Sequence, residues 1–256
     1  MKKVVHKNAL IYPAVILLLM VAGYVLQISG FISSCWGAII PLVPAGFLGI
    51  LTSPFLHGNF EHLFGNMVPV GVLLFLLFQF YGHVAKKVFF TGWFFTGLLV
   101  WLLPPVDIFT GREVYTCTIG ASGLVYVLAF FLFISGVIRW DMKLLSISMV
   151  VALYYGSLIW GVFPEEFFSN LNEPSKISWQ SHLAGAAVGV ILAFMFRKTG
   201  EKKRKFIWEY PNYYSEKDDK LWQDYRENHP EDFSELPQKK KDEIWEFLDE
   251  LRRRKQ

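Results

Sequence analysis

Long uncharged apolar stretches, separated by short polar ones, fill most of the first three quarters of this sequence. A helix needs about 20 apolar residues to cross the hydrocarbon core of a bilayer. Six stretches approach that length, so the pattern predicts six membrane-spanning helices in an all-α, polytopic membrane protein. The predicted spans cover residues 9–28, 63–81, 88–103, 120–138, 144–163 and 177–196.

The segment between the first two spans is ambiguous. Residues 30–60 carry no charged side chain, so 39–56 could form a seventh span. This stretch contains Pro41, Pro44 and Pro54, and proline breaks a helix because it lacks the backbone N–H and clashes with the preceding turn. We therefore expect a loop that dips into the membrane interface.

The basic residues favour one orientation of these spans. With six spans and the N-terminus inside, 13 lysines and arginines lie on inner segments, whereas the outer segments hold two, Arg112 and Lys176. A seventh span would place Lys86, Lys87 and the basic cluster at 197–205 outside. Because basic residues concentrate on the cytoplasmic side, the count predicts six spans with both termini cytoplasmic. Spans two, four and six then all begin at the outer face.

The composition supports a membrane domain followed by a polar extension. Hydrophobic residues make up 53% of the chain, aromatic residues 17% and charged residues only 18%, and the mean hydropathy is +0.34. Residues 8–196 contain 13 charged side chains, whereas residues 197–256 contain 31. These values exclude an ordinary soluble enzyme and a DNA-binding module. In the extension acids balance bases, so a nucleic-acid partner is not expected.

The chain has two cysteines, Cys35 and Cys117, both on the predicted outer side. Two cysteines are too few for a disulfide-rich scaffold or a multi-cysteine metal site. They either pair in one disulfide, if the outer side is oxidising, or remain two thiols in an apolar environment.

Polar residues of unusual type occur where spans two, four and six begin. Because these spans start at the same face, their first turns lie at one depth in the membrane. Ionisable residues inside a membrane are costly and usually face the interior of the helix bundle. His62 and Asn66 are four positions apart and share one helix face. The full set is His57, His62 and Asn66 on span two, Gly120, Ser122 and Gly123 on span four, and His182, Gly185 and Gly189 on span six.

Each of these residues also has a purely structural interpretation. The glycines could simply allow close packing of membrane helices, and a single serine serves that purpose more often than catalysis. A single histidine at the interface is more often a hydrated edge residue than a base. Together, however, Ser122, His182 and the His62–Asn66 pair supply what acyl transfer needs: a nucleophile, a base and donors for the oxyanion.

The three motifs resemble those of the rhomboid intramembrane serine proteases. They are HxxxxHxxxN at His57–Asn66, GxSG at Gly120–Gly123 and HxxGxxxG at His182–Gly189, on the matching spans and in the matching order. The resemblance covers roughly residues 9–198. It implies an endopeptidase without metal or organic cofactor, whose substrates are transmembrane proteins of the surrounding bilayer. It also implies, by analogy, that span five is a lateral gate.

The resemblance further implies a role for each motif residue. Ser122 would be the nucleophile and His182 the general base and acid, a dyad without a carboxylate. Tyr126 would stack on His182, and His62 and Asn66 would line the oxyanion hole with the Ser122 backbone N–H. The remaining motif residues would support this site: His57 structurally, and Gly120, Gly123, Gly185 and Gly189 by allowing close approach.

Two positions depart from the family pattern. Ser181 stands where the family commonly has alanine before the histidine, and the first outer loop has Trp36 without the arginine that often accompanies it. We expect neither departure to prevent catalysis.

These observations divide the chain into three parts. They are a cytosolic segment (1–8), a six-span catalytic membrane domain (9–198) and a charged, helical cytosolic extension (199–256), in which an apolar stripe at 244–251 could meet a cytosolic partner. We expect a multi-pass protein of a prokaryotic cytoplasmic membrane with its site open to the outer face. The alternatives are a catalytically silent relative that binds membrane helices and a small transporter.

Overall fold

The computed structural model of the chain describes residues 5–33, 35–103, 117–163, 178–199 and 219–233. The chain divides into two compact units, Met1–Glu201 and Lys202–Gln256. The helices are α1 (Lys7–Ile28), α2 (Gly49–Thr52), α3 (Phe60–Phe80), α4 (Gly82–Leu102), α5 (Ser122–Arg139), α6 (Met142–Tyr155), α7 (Trp179–Met195) and, in the second unit, α8 (Lys220–Asn228). The predicted all-α membrane architecture is confirmed.

Among the residues that the structure describes, four helical segments are long and apolar enough to cross a membrane: Lys7–Ile28, Phe60–Phe80, Ser122–Arg139 and Met142–Val162. The last combines α6 with a 3₁₀ turn that follows it. The other two predicted spans also form helices, so every predicted span has a helical counterpart.

Those two helices differ from the prediction in their bounds or their length. The helix α4 begins at Gly82 rather than at residue 88, because the chain turns directly out of α3, and it includes Lys86 and Lys87. The helix α7 is apolar but only 17 residues long. Six membrane crossings therefore remain a prediction.

The ambiguous segment 39–56 is not a seventh long helix. It consists of a 3₁₀ turn at Pro44–Leu48, the single turn α2 and a second 3₁₀ turn at Ser53–Phe55. Each 3₁₀ turn has a proline in its first two positions, as expected for a residue that begins a turn but cannot continue a helix. Two indoles of α4 anchor this loop, since Trp93 and Trp101 donate hydrogen bonds of 3.0 Å to its backbone carbonyls.

The helix α5 lies at the centre of the membrane unit. In an apolar stretch of 18 residues within α5, 61% of the residues are buried. The corresponding shares are 28% in α1 and 17% in Met142–Val162, which combines α6 with its 3₁₀ turn. Two glycines of α7 allow that helix to approach α5 closely. A Cβ on Gly185 would lie 3.0 Å from the Cβ of Tyr126, and one on Gly189 would lie 2.6 Å from the Val127 carbonyl oxygen. Larger residues would separate the two helices.

Arg139 joins the C-terminal ends of the same two helices. Its guanidinium donates to the Ser135 hydroxyl at 3.0 Å, to the Thr199 carbonyl at 2.7 Å and to the Phe196 carbonyl, and it lies 5.6 Å from the ring centroid of Tyr81. A cation at the C-terminal end of α7 is favourable because the last carbonyls of a helix carry partial negative charge.

The second unit is described only at residues 219–233. Asp219 caps α8 by accepting a hydrogen bond from the Trp222 backbone N–H at 3.0 Å. The Tyr225 hydroxyl donates to the Asp232 carboxylate at 2.6 Å, which joins α8 to the 3₁₀ turn Pro230–Phe233. The predicted stripe at 244–251, and several basic residues of the orientation count, lie outside the described residues.

Candidate active site

Ser122 is the first residue of α5, directly after a turn that only glycine adopts without strain. Gly120 has φ of +108°, in the region that side chains disfavour. Its backbone N–H donates to the Ser53 carbonyl at 2.9 Å, which fixes the turn to the loop between α1 and α3. The half-buried Ser122 therefore stands at the N-terminal, positively polarised end of the most buried helix.

The segment before Gly120 is joined covalently to the same loop. Cys35 and Cys117 form a disulfide with their Cα atoms 5.3 Å apart, so the pairing that the sequence left open is present. Directly after Cys117, the backbone of Thr118 exchanges two hydrogen bonds of 3.0 and 2.9 Å with the backbone of Ile39. The strand-like segment that leads to Ser122 thus has both covalent and hydrogen-bonded support.

His62 and Asn66 of α3 face this turn. A Cβ on Gly120 would lie 2.7 Å from the His62 Nε2 and 3.6 Å from the Asn66 Nδ2. Asn59 caps α3 by accepting from the His62 backbone N–H at 2.7 Å. The buried Asn66 amide donates to the His62 carbonyl at 3.0 Å, which uses one of its two hydrogens. Two potential donors therefore lie beside the residues that precede Ser122.

His182 is buried and held on two sides. Its imidazole stacks on the Tyr126 ring, with centroids 4.3 Å apart and an interplanar angle of 10°. Its Nδ1 lies 2.8 Å from the carbonyl oxygen of Gly161, in the 3₁₀ turn Gly156–Val162. Tyr126 is one helical turn after Ser122, so His182 contacts the helix that carries the candidate nucleophile.

The close approach of α5 and α7 extends to the level of Ser122. A Cβ on Gly123 would lie 2.7 Å from the Ser181 hydroxyl oxygen. Within the described residues the Ser122 hydroxyl makes no hydrogen bond to His182. Such bonds are often long without substrate and shorten when it binds.

His57 occupies a different position from the other motif histidines. It lies before α3, is 1% exposed, and its backbone N–H donates to the Gln27 side chain at 2.7 Å. Its ring meets the His62 ring edge to face, with centroids 5.0 Å apart. Burial, with a smaller contribution from the charge of His62, lowers the pKa of His57 to about 4. His57 is therefore neutral at pH 7 and packs behind His62.

A small cavity with a mixed apolar and polar lining adjoins the turn before Ser122. Its volume is about 20 Å³, which is enough for one water molecule. The Thr96 hydroxyl oxygen is buried and makes no hydrogen bond to the rest of the described chain. The polar and glycine residues that line the cavity are Ser53, Thr96, Gly97, Gly120, Gly123 and Ser181.

Three residues at this site were not found from the sequence. Ser53 and Gly161 contribute backbone carbonyls, and no residue type signals that contribution. Thr96 offered a weak signal, as a hydroxyl within an apolar span. Among the described residues, no group of three His, Cys, Asp or Glu side chains is placed to hold a metal ion.

The chain is similar to known proteins over this region. The Rhomboid domain family matches residues 44–199, which include every candidate site residue. The chain is 34% identical over 171 residues to an uncharacterized protein of Mycobacterium tuberculosis and to one of Mycobacterium bovis. In both cases the match covers 65% of this chain and 66% of the relative, just under two thirds of its length. An uncharacterized protein of Mycobacterium leprae is 32% identical over 161 residues, covering 61% of this chain and 59% of the relative.

The family match spans more than half of the chain and agrees with the helical membrane architecture. The chain is thus an integral membrane protein that belongs to the rhomboid family.

Proposed function

We propose that this protein is an intramembrane serine endopeptidase that uses a Ser122–His182 dyad. The observation that carries the proposal is the position of His182 between the Tyr126 ring and the Gly161 carbonyl. A carbonyl oxygen can only accept, so Nδ1 carries the hydrogen and the lone pair of the neutral imidazole is on Nε2. That nitrogen is the one left to take a proton from Ser122.

The proposed reaction follows the general scheme of serine acyl transfer. His182 Nε2 takes the Ser122 hydroxyl proton as the oxygen attacks the scissile carbonyl carbon, and it then gives that proton to the leaving amine. Water deacylates the enzyme in a second step with His182 again as base. Stacking on Tyr126 and the Gly161 carbonyl would orient the imidazole, which is the task that a carboxylate performs in a triad.

The negative charge that develops on the substrate oxygen would meet three kinds of donor. These are the Ser122 backbone N–H at the start of α5, the second Asn66 amide hydrogen and the His62 imidazole. Gly120 supports this arrangement because its missing side chain lets His62 approach the turn. Donors fixed before the reaction stabilise the transition state without reorganisation.

The substrates that suit this site are transmembrane proteins. A helix in a bilayer satisfies its own carbonyls, so the scissile stretch must unwind before Ser122 can attack it. We expect single-span substrates with small residues at the cut and helix-weakening glycine, proline or polar residues nearby. With the proposed orientation, cleavage occurs near the outer face of a prokaryotic cell membrane and releases an external fragment.

Cleavage in proteoliposomes tests the proposal. Purified wild-type protein is incubated with tagged single-span substrates, alongside Ser122→Ala and His182→Ala. The matched controls Ser146→Ala and His229→Ala alter exposed residues outside the three motifs. We expect wild type and both controls to cleave and both site variants to be inactive. Cleavage that survives Ser122→Ala would refute the dyad, and absence of cleavage in wild type across several substrates would favour a helix-binding, non-catalytic role.

A further inference from the structure

The group that orients His182 belongs to neither of the helices that carry the dyad. His182 is on α7 and Ser122 on α5, but the oxygen facing the His182 Nδ1 at 2.8 Å comes from Gly161. Gly161 lies in the 3₁₀ turn Gly156–Val162, which follows α6. The orientation of the base therefore depends on a third element.

Only glycine fits at position 161. A Cβ there would collide with the Tyr126 hydroxyl and would lie 3.2 Å from the His182 Nδ1 and 3.3 Å from the Tyr126 Cζ. A side chain would push the turn away from both rings, and its carbonyl would leave the imidazole. Gly156, in the same turn, has no atom within 4 Å of an added Cβ, so the requirement is specific to position 161.

The turn that carries Gly161 is only partly buried. None of the residues Gly156–Val162 is fully buried, and within the turn Leu158 packs against the hydrophobic core. Elements with few buried contacts open most readily. The contact with His182 exists only while this turn stays docked.

We propose that Gly161 is a positioning residue that makes the alignment of His182 depend on the docking of the turn Gly156–Val162 against α7. When the turn is docked, the carbonyl holds the Nδ1–H tautomer, and Nε2 can accept the Ser122 proton. When the turn moves away, as it would to admit a substrate, the imidazole loses this partner and can rotate or change tautomer. This inference rests on the proposed function, because it assigns His182 the role of base.

Steady-state kinetics test the inference. Gly161→Ala is compared with Gly156→Ala in proteoliposomes, over a range of substrate concentrations. We expect Gly161→Ala to lower kcat at least about tenfold with little change in KM, since a general base contributes about 10² to 10⁴. Gly156→Ala is expected to behave as wild type. Equal effects of the two substitutions, or an effect of Gly161→Ala on KM alone, would overturn the inference.

A second background separates misalignment from misfolding. Tyr126→Phe removes the hydroxyl that an alanine at position 161 would strike but keeps the ring. We expect Gly161→Ala to lower kcat by a smaller factor in the Tyr126→Phe background than in wild type. If the factor is unchanged or larger, crowding against Tyr126 is not the cause and the inference fails.

The tautomer of His182 can be measured without any activity. Nitrogen-15 NMR of histidine-labelled protein, with the His182 signals assigned by their loss in His182→Gln, distinguishes the two neutral forms. We expect the Nδ1–H form in wild type and Gly156→Ala, and its loss in Gly161→Ala. An Nε2–H form in wild type would overturn the inference. The Nδ1–H form in a protein that cleaves nothing would support the contact and count against the proposed function alone.

Discussion

The ring of Tyr126 lies nearly parallel to the imidazole of His182, with their centroids 4.3 Å apart. This contact joins α5 to α7 within one helical turn of Ser122. It limits rotation of the imidazole about its side-chain bonds, and the Gly161 carbonyl fixes which nitrogen carries the hydrogen. An imidazole without a carboxylate partner can thus be oriented by an aromatic face and a backbone oxygen.

Replacing Tyr126 should affect chemistry more than substrate binding. Tyr126→Ala removes the stacked ring, so we expect kcat to fall by about tenfold or more because the base is no longer held in position. Tyr126→Phe keeps the ring and should retain more activity than Tyr126→Ala. Measuring kcat and KM for both variants checks this, and equal activities for alanine and phenylalanine would show that stacking is unimportant.

Gly120→Ala should be more damaging than an ordinary glycine substitution. Its Cβ would strain a backbone with φ of +108° and lie 2.7 Å from the His62 Nε2. We expect activity to fall about 10²-fold or more, as when an oxyanion donor is lost. Gly30→Ala is the matched control, because Gly30 has φ of +77° but no atom within 4 Å of an added Cβ. Comparable losses of activity in the two variants would show that strain alone, rather than displacement of His62, is responsible.

The disulfide should stabilise the fold by constraining a long loop. Cys35 and Cys117 are 82 residues apart, and a native disulfide typically contributes about 2 to 4 kcal/mol to the free energy of unfolding. We expect Cys35→Ser, Cys117→Ser and reduction of wild type to lower the unfolding midpoint in detergent by the same amount. The hydrogen bonds between Ile39 and Thr118 would remain, so the protein should still fold. Labelling of both thiols by a maleimide before reduction would contradict the pairing.

Acidification should destabilise the protein through His57. Its pKa is about 4 in the folded state, against 6.5 for an ordinary histidine. The unfolded state therefore binds a proton first, and stability falls as the pH drops from about 6.5 to about 4. Integrated over that window, His57 accounts for a loss of about 3 kcal/mol.

Unfolding midpoints measured in detergent between pH 7 and pH 4.5 check the contribution of His57. We expect His57→Gln to show a smaller fall than wild type, and the exposed His229→Gln to show the same fall as wild type. A wild-type midpoint that does not change over this range would contradict the buried, neutral state of His57.

The parts of the site that follow from helical periodicity could be predicted from the sequence. His62 and Asn66 are four residues apart and both face the turn at Gly120, and the small residues of α7 pack against α5 as their spacing indicates. The uncharged segment 39–56 could also be assigned as a loop, because its prolines exclude a long helix. These features depend on local rules, so a single stretch of sequence is enough to predict them.

Other parts of the site depend on tertiary contacts that neither periodicity nor the motifs indicate. The carbonyls of Gly161 and Ser53 act through the backbone, and a glycine or serine in the sequence does not indicate where its carbonyl points. The pairing of Cys35 with Cys117 depends on the paths of two separate segments of the chain, which the sequence does not indicate. The predicted start of α4 is six residues too late, because the tight junction after α3 has no hydrophobic signal.

The proposed role of Ser122 as nucleophile is tested by identifying the residue that reacts with a serine-directed fluorophosphonate. Wild type, Ser122→Ala and His182→Ala are treated in proteoliposomes, and the modified peptide is located by mass spectrometry. We expect Ser122 alone to be modified in wild type, and His182→Ala, which keeps the hydroxyl, to be modified far more slowly. Modification of another residue, or equal rates in wild type and His182→Ala, would contradict this expectation.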